Sequence, residues 1–152
     1  MNYKKLIASL ALPQLAGLIG AFFTGSSVSG WYTTIEKPVF TPPGWIFGPA
    51  WTLLYLLMGV SLYLVWSRAK THKKALFVFA VQLVLNTLWS IIFFGLQAPL
   101  WGFVEIILLW VAILLTITSF YKINKTAAYL LLPYLAWVSF AAVLNLAIVI
   151  LN

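Results

Sequence analysis

The sequence predicts an all-α integral membrane protein: a single domain, residues 1–152, that forms a bundle of five transmembrane helices with a long structured lid between the first two. Composition predicts this class. Hydrophobic residues make up 64% of the chain and charged residues 7%, whereas soluble domains are about 45–50% apolar and about 25% charged. A surface with so few charges would aggregate in water. We therefore exclude a soluble enzyme, a disordered tail and a nucleic-acid-binding module.

The spacing of the charges is the second observation, because it leaves five long stretches almost free of them. About 20 apolar residues cross the hydrocarbon core of a bilayer as a helix. We predict helices at approximately residues 6–23, 45–67, 75–96, 101–121 and 127–151. Glu105 is the one charge within these stretches. No internal repeat divides them into the paired halves common in secondary transporters.

The first stretch has an alternative explanation as a signal peptide, because Lys4 and Lys5 precede it and small residues follow it. Residues 6–23 are long for the apolar region of such a peptide, so we keep this stretch as a helix. Ala16 and Gly20 lie four residues apart in it, beside Gly17, which permits close approach of a neighbouring helix. Pro13 predicts a kink.

The basic residues are distributed unevenly between the two sides of the predicted bundle. Lys37 is alone on its side, and the other eight of the nine lysines and arginines share the opposite side: Lys4, Lys5, Arg68, Lys70, Lys73, Lys74, Lys122 and Lys125. The positive-inside rule then places the N-terminus in the cytoplasm and the C-terminus outside, in a cytoplasmic-type membrane. An alternative for residues 68–74 is a site for a lipid headgroup or another polyanion. The net charge of +7 reflects the scarcity of acids.

Residues 25–44 form the lid, a connection too long and too aromatic to be an ordinary loop. Pro38, Pro42 and Pro43 restrict its backbone. Trp31 and Tyr32 are too apolar to remain in water. We expect a stiff lid over one end of the bundle, with an interfacial aromatic belt as the alternative role for these two rings.

Polar and aromatic residues recur at steps of four within the spans, which places them on single helix faces. They are Trp51 and Tyr55 in the second span, Gln82, Asn86 and Ser90 beside Trp89 and Phe93 in the third, and Trp137, Ala141 and Asn145 in the fifth. Such faces avoid lipid. They predict either a cavity under the lid for a large flat hydrophobic ligand or ordinary interhelical packing.

Few ionisable side chains are available for catalysis or metal binding. Glu105 is predicted to lie near the outer interface, as a structural anchor or as a contact for a ligand or proton. His72 lies among lysines, where we expect it to be solvated. With no cysteine and one histidine, the chain offers no metal site and no histidine-based triad. Pro133 predicts a kink in the fifth span.

Three segments resemble the translocator protein family, also called TspO/MBR, tryptophan-rich sensory proteins or peripheral-type benzodiazepine receptors. They read WYTTIEKPVFTPPGWIFGPAWTLLYLLMGVSLYLVW (residues 31–66), QLVLNTLWSIIFFG (residues 82–95) and PYLAWVSFAAVLN (residues 133–145). The resemblance begins near Gly17 and extends to the C-terminus. The elements W-Y, K-P, T-P-P-G-W, G-P-x-W-T-x-L-Y and P-Y-L-x-W are jointly specific.

The resemblance implies a five-helix bundle, commonly a homodimer, that binds protoporphyrin IX, haem and related tetrapyrroles in a pocket under the first loop, with no required cofactor. It implies that Trp51 and Trp137 flank the ligand and take part in any light-dependent porphyrin breakdown. The other implied pocket positions are Tyr32, Asn86, Trp89, Ser90, Ala141 and Asn145, with Tyr55 beside Trp51, and Glu105 matches the family's acid in the fourth helix. Transport of porphyrin, lipid or sterol is the alternative function. The Tyr and Arg of the animal cholesterol motif have no counterpart in residues 143–146.

Overall fold

The computed structural model describes residues 1–68 and 72–152, which are mostly helical and form no β-strand. The long helices are α1 (Tyr3–Val28), α3 (Phe47–Trp66), α4 (Lys73–Ser90), α5 (Pro99–Tyr121) and α7 (Leu132–Leu151), and the short ones are α2 (Trp31–Thr34) and α6 (Lys125–Tyr129). A 3₁₀ turn, Gly44–Ile46, precedes α3, and a π-helical turn, Ile91–Gly95, extends α4. Lys70 lies outside the described residues.

Within the described residues, five segments are long and apolar enough to cross a membrane, which confirms the predicted all-α class with five spans. They are Tyr3–Val28, Gly44–Trp66, Lys73–Gly95, Pro99–Tyr121 and Lys125–Leu151. The last segment is interrupted between α6 and α7, and Pro133 lies in the first turn of α7. A proline is tolerated there because its missing N–H would have had no helical acceptor. Pro13, in contrast, lies inside the continuous helix α1.

The core lies where α3, α4, α5 and the last span meet. Met58, Phe120 and Val138 are fully buried in it, and the Phe79 and Phe120 rings stack with centroids 5.8 Å apart. Large apolar side chains also cover the outside of the bundle. Leu15, Phe22, Leu53, Phe77, Leu108 and Ile150 are all exposed. Such an outer surface is compatible with lipid and not with water.

The two ends of the bundle differ in chemistry, and two contacts fix which segments share each end. At the basic end, the Lys5 ammonium donates to the carbonyl of Trp66, the last residue of α3. At the aromatic end, the first connection meets the C-terminus, since the Glu36 N–H donates to Asn152 Oδ1 at 3.0 Å and Asn152 Nδ2 donates to the Glu36 carbonyl at 2.9 Å.

The first connection is partly helical. α1 continues to Val28, beyond the predicted boundary, and α2 follows after a short turn. The remainder, up to the 3₁₀ turn at Gly44, is extended or turned and contains the three prolines. Trp31 packs edge-on against Phe93 at 5.8 Å, and Phe40 packs against Phe140 at 6.3 Å. The connection therefore rests on α7 and on the π-helical turn.

Candidate functional site: an aromatic cavity beneath the first connection

A cavity of about 690 Å³ lies at the aromatic end of the bundle, between α1, α3, α7, the end of α4 and the first connection. Its size lies within the roughly 300–1,000 Å³ of ligand pockets. Eight of the site residues predicted from the sequence line it: Tyr32, Trp51, Tyr55, Trp89, Ser90, Trp137, Ala141 and Asn145. These side chains come from four separate segments of the chain, so the fold brings them together.

Trp51, Tyr55 and Trp137 form one aromatic wall. Trp51 and Tyr55, one helical turn apart on α3, stack with centroids 5.5 Å apart and an interplanar angle of 26°. Trp137 on α7 meets Trp51 edge-on, at 6.4 Å and 85°. Phe47 also packs edge-on against Trp137, with ring centroids 6.1 Å apart. Flat rings held at right angles present both a face and an edge to a bound molecule.

The π-helical turn and the end of α4 contribute a second group of aromatic side chains to the cavity lining. Within the π-helical turn, the Leu96 N–H bonds to the Ile91 carbonyl at 2.8 Å, five residues back, and this wider turn changes the direction of the side chains that follow Ser90. Two consecutive rings, Phe93 and Phe94, both reach the cavity as a result. Trp89 stacks on Phe93 at 5.2 Å. Such turns occur frequently at functional sites.

The first connection contributes a phenol and an ammonium group. The Lys37 Nζ donates to the carbonyls of Tyr32 and Ile35, at 2.6 and 3.0 Å, and lies 4.8 Å from the Tyr32 ring centroid. Burial raises the pKa of the Tyr32 phenol above its ordinary value, so the hydroxyl is neutral at physiological pH. Among the described residues that line the cavity, Lys37 is the only charged one.

Asn145 connects the cavity wall to α5. Its Oδ1 accepts from the Trp89 indole N–H at 3.1 Å, and its Nδ2 donates to the Pro99 carbonyl at 2.8 Å. Asn145 is almost fully buried, so these bonds satisfy a polar group that would otherwise be costly in the bilayer. They also hold the Trp89 ring in a fixed orientation.

Asn86 lies behind Tyr55 rather than on the cavity surface, which differs from its predicted position. The Tyr55 hydroxyl donates to Asn86 Oδ1 at 2.7 Å, and Asn86 Nδ2 donates to the Tyr134 hydroxyl at 2.8 Å. The three residues come from α3, α4 and α7. Asn86 therefore positions the Tyr55 ring, and the ring fills the space through which Asn86 would have reached a ligand.

Glu105 and Gln82 are buried away from the cavity lining. Neither carboxylate oxygen of Glu105 and neither amide atom of Gln82 has a hydrogen-bond partner among the described residues. Glu105, predicted as a structural anchor or as a contact for a ligand or proton, therefore makes no side-chain hydrogen bond within the described residues and does not line the cavity. The cavity surface derives its polarity from other side chains.

The small residues of α1 form the remaining wall, and their predicted close approach is confirmed. A methyl group on Gly17 would overlap the Tyr55 ring, and one on Gly20 would lie 3.1 Å from the Ser90 hydroxyl. Both partners belong to the same chain. Gly17, Gly20, Ala21 and Gly25 also line the cavity, together with Gly44 in the 3₁₀ turn and Gly48 in the first turn of α3. Small side chains here leave room for a ligand between α1 and α3.

Several lining residues were not predicted as site residues: Phe47, Phe93, Phe94, Phe140, Lys37 and the residues of α1. The steps of four that identified Trp137 and Ala141 also apply to Phe140, Leu144 and Ile148, so periodicity could have found these three. The π-helical turn has no comparable signal in the sequence. Among the described residues, no group of three His, Cys, Asp or Glu side chains could hold a metal ion.

Comparison with known proteins gives matches along nearly the whole chain. Residues 9–151 match the model of the TspO/MBR family. The tryptophan-rich protein TspO of Archaeoglobus fulgidus is 53% identical over 155 residues, which cover 100% of this chain and 99% of that protein. The translocator protein of Homo sapiens is 38% identical, covering 88% of this chain and 81% of its own. The tryptophan-rich sensory protein of Cereibacter sphaeroides is 34% identical, with coverages of 80% and 77%.

Proposed function

The chain belongs to the TspO/MBR family of integral membrane proteins, and on that premise we propose that it is a receptor or regulator that binds protoporphyrin IX, haem and related tetrapyrroles in the aromatic cavity. The observation that carries this proposal is that five aromatic side chains from α3, α4, the π-helical turn and α7 line one cavity: Trp51, Tyr55, Trp89, Phe93 and Trp137. A tetrapyrrole is a large, flat, apolar ring, and aromatic faces and edges in the cavity lining are complementary to it.

The charge in the cavity supports the same ligand class. Protoporphyrin IX and haem carry two propionate carboxylates at one edge of the ring, so they need a cation or the aqueous surface at that edge. An ammonium group has three donors, and Lys37 uses two of them on the Tyr32 and Ile35 carbonyls. The third donor remains for a carboxylate at the end of the cavity nearest the connection.

Titration of the purified protein with protoporphyrin IX, followed by quenching of tryptophan fluorescence, tests the proposal. The double variant Trp51→Phe, Trp137→Phe should bind about tenfold more weakly, because an aromatic contact contributes about 0.5–1.5 kcal/mol. The matched control is Trp45→Phe, Trp101→Phe, since both of these indoles are exposed outside the cavity. Equal affinity in the two double variants would place the ligand elsewhere.

Light-dependent degradation of the bound porphyrin is a second candidate, favoured by the two indoles that meet at 6.4 Å in the cavity wall. In this function dioxygen is the oxidant, and Trp51 and Trp137 are the residues in contact with the excited ring. A new absorbing product should form under light only with folded protein, and either single Trp→Phe variant should lose it. If porphyrin bleaches at the same rate with heat-denatured protein, the protein has no catalytic part.

Transport of porphyrin or lipid is the alternative function. Measuring porphyrin flux into sealed liposomes distinguishes transport from binding alone.

The charge distribution supports a cytoplasmic N-terminus and basic end, with the cavity on the outer side. We also propose a homodimer, on the family resemblance. Cross-linking in native membranes tests the dimer, and labelling of introduced cysteines at the two termini tests the orientation.

A further inference from the structure

A second cleft, of about 620 Å³, opens at the basic end of the bundle, on the opposite side from the aromatic cavity. It lies between the beginning of α4 and the end of α5. Two apolar residues and six polar or basic ones line it, the latter being His72, Lys73, Lys74, Thr118, Ser119 and Lys122. Three ammonium groups thus border one cleft.

No acidic side chain of this protein can neutralise these lysines. The sequence contains two acids, Glu36 and Glu105, and no aspartate. The backbone of Glu36 is bonded to Asn152 at the aromatic end, and Glu105 is buried near the beginning of α5, also toward that end. Residues 69–71, which the structure does not describe, include no acid either. The positive charge of the cleft must be balanced by an anion from outside the chain.

The position of the cleft identifies the kind of anion. Lys73 is the first residue of one membrane span and Tyr121 the last residue of another, so the cleft lies where hydrocarbon gives way to headgroups. Lipid phosphates are the anions present at that depth, and each lysine near such a surface contributes about 1 kcal/mol of attraction. Since α4 begins and α5 ends at the cleft, their helix dipoles oppose each other and the field comes from the side chains.

We infer that the cleft formed by Lys73, Lys74 and Lys122 is a binding site for the phosphate headgroup of an anionic phospholipid. The lysines supply charge, and the hydroxyl of Ser119 and the ring of His72 supply shorter-range contacts with the phosphate oxygens. The Thr118 hydroxyl already donates to the Leu115 carbonyl at 3.0 Å, so it has no proton left to donate to a phosphate oxygen. These residues thus have a binding role in addition to setting the orientation of the spans.

Native mass spectrometry of the full chain in detergent, with added phosphatidylglycerol or phosphatidylcholine, tests this inference. The triple variant Lys73→Gln, Lys74→Gln, Lys122→Gln should bind phosphatidylglycerol roughly 100-fold more weakly, about fivefold for each lysine. The matched control Lys4→Gln, Arg68→Gln, Lys125→Gln removes the same charge from the same end outside the cleft. It should weaken binding less than fivefold. Neither variant should change phosphatidylcholine binding.

Three results would overturn the inference. Equal losses in the two triple variants would mean diffuse attraction with no site in the cleft. Equal binding of the two lipids by the unmodified protein would mean that charge plays no part. Displacement of phosphatidylglycerol by submillimolar inorganic phosphate would identify a soluble phosphate as the occupant. Protoporphyrin titration of both variants serves as the folding control, because the aromatic cavity is at the other end.

Discussion

Gly59 lies directly against the backbone of Ser9: a methyl group on Gly59 would be 2.9 Å from the Ser9 carbonyl oxygen and 2.9 Å from the Leu10 Cα. The Ser9 carbonyl is also the group to which Pro13 would have donated, had it possessed an N–H. The backbone of α1 therefore approaches α3 closely at the point where α1 lacks a backbone hydrogen bond. Small residues permit such contacts in membrane bundles.

The contact predicts that Gly59→Ala destabilises the bundle. The methyl group meets backbone rather than a flexible side chain, so the helices must separate, and such overpacking costs about 1–3 kcal/mol. Thermal unfolding in detergent measures the loss. Gly48→Ala is the control, because Gly48 lies on the same helix with nothing within 4 Å of the added carbon. An unchanged midpoint for Gly59→Ala would mean that α1 and α3 pack less closely.

Lys37 should distinguish ligands by their carboxylates. Lys37→Met removes the cation from the cavity, so affinity for protoporphyrin IX should fall about tenfold, while affinity for its dimethyl ester should not change. Lys37→Arg should retain the preference for the free acid. Fluorescence titration with both ligands measures the ratio. If Lys37→Met weakens binding of acid and ester equally, the lysine acts only by ordering the Tyr32–Ile35 backbone.

Asn145 should matter for stability as well as for the cavity. Asn145→Ala leaves the half-buried Trp89 indole N–H without its acceptor and removes one hydrogen bond from the Pro99 carbonyl, so we expect a loss of about 1–3 kcal/mol in total. The melting temperature should fall and tryptophan emission should shift as Trp89 becomes mobile. Val143→Ala, two residues away and exposed, is the matched control. Identical emission in both variants would contradict a fixed orientation of Trp89.

The pair of hydrogen bonds between Glu36 and Asn152 should hold the first connection in place. Asn152→Ala removes both bonds, and hydrogen exchange of residues 35–43 should accelerate as a result. Porphyrin should also dissociate faster, because the connection contributes Tyr32 and Lys37 to the cavity. Asn2→Ala, which removes the N-cap of α1 at the basic end, should change neither quantity. Unchanged exchange in Asn152→Ala would show that the aromatic contacts alone hold the connection.

The spans could be predicted from charge spacing alone, because a bilayer imposes one length scale on every helix. Helical periodicity also brought Trp137, Ala141 and Asn145 to one wall. Periodicity does not predict the position of Asn86 correctly. Asn86 lies on the expected helix face, but the Tyr55 ring from α3 lies between it and the cavity. From the sequence, Lys37 indicates only membrane orientation, since nothing there shows that its chain segment folds back over the cavity.

The wide turn Ile91–Gly95 is equivalent to an ordinary helix that has accepted one inserted residue. Deleting a residue from this turn would restore regular winding, and the helix before it would keep its phase. Phe93 and Phe94 would then no longer point to the same wall. The presence of both phenylalanines in the lining of the cavity thus depends on one inserted residue. A relative without that residue would have a cavity of different shape in an otherwise unchanged bundle.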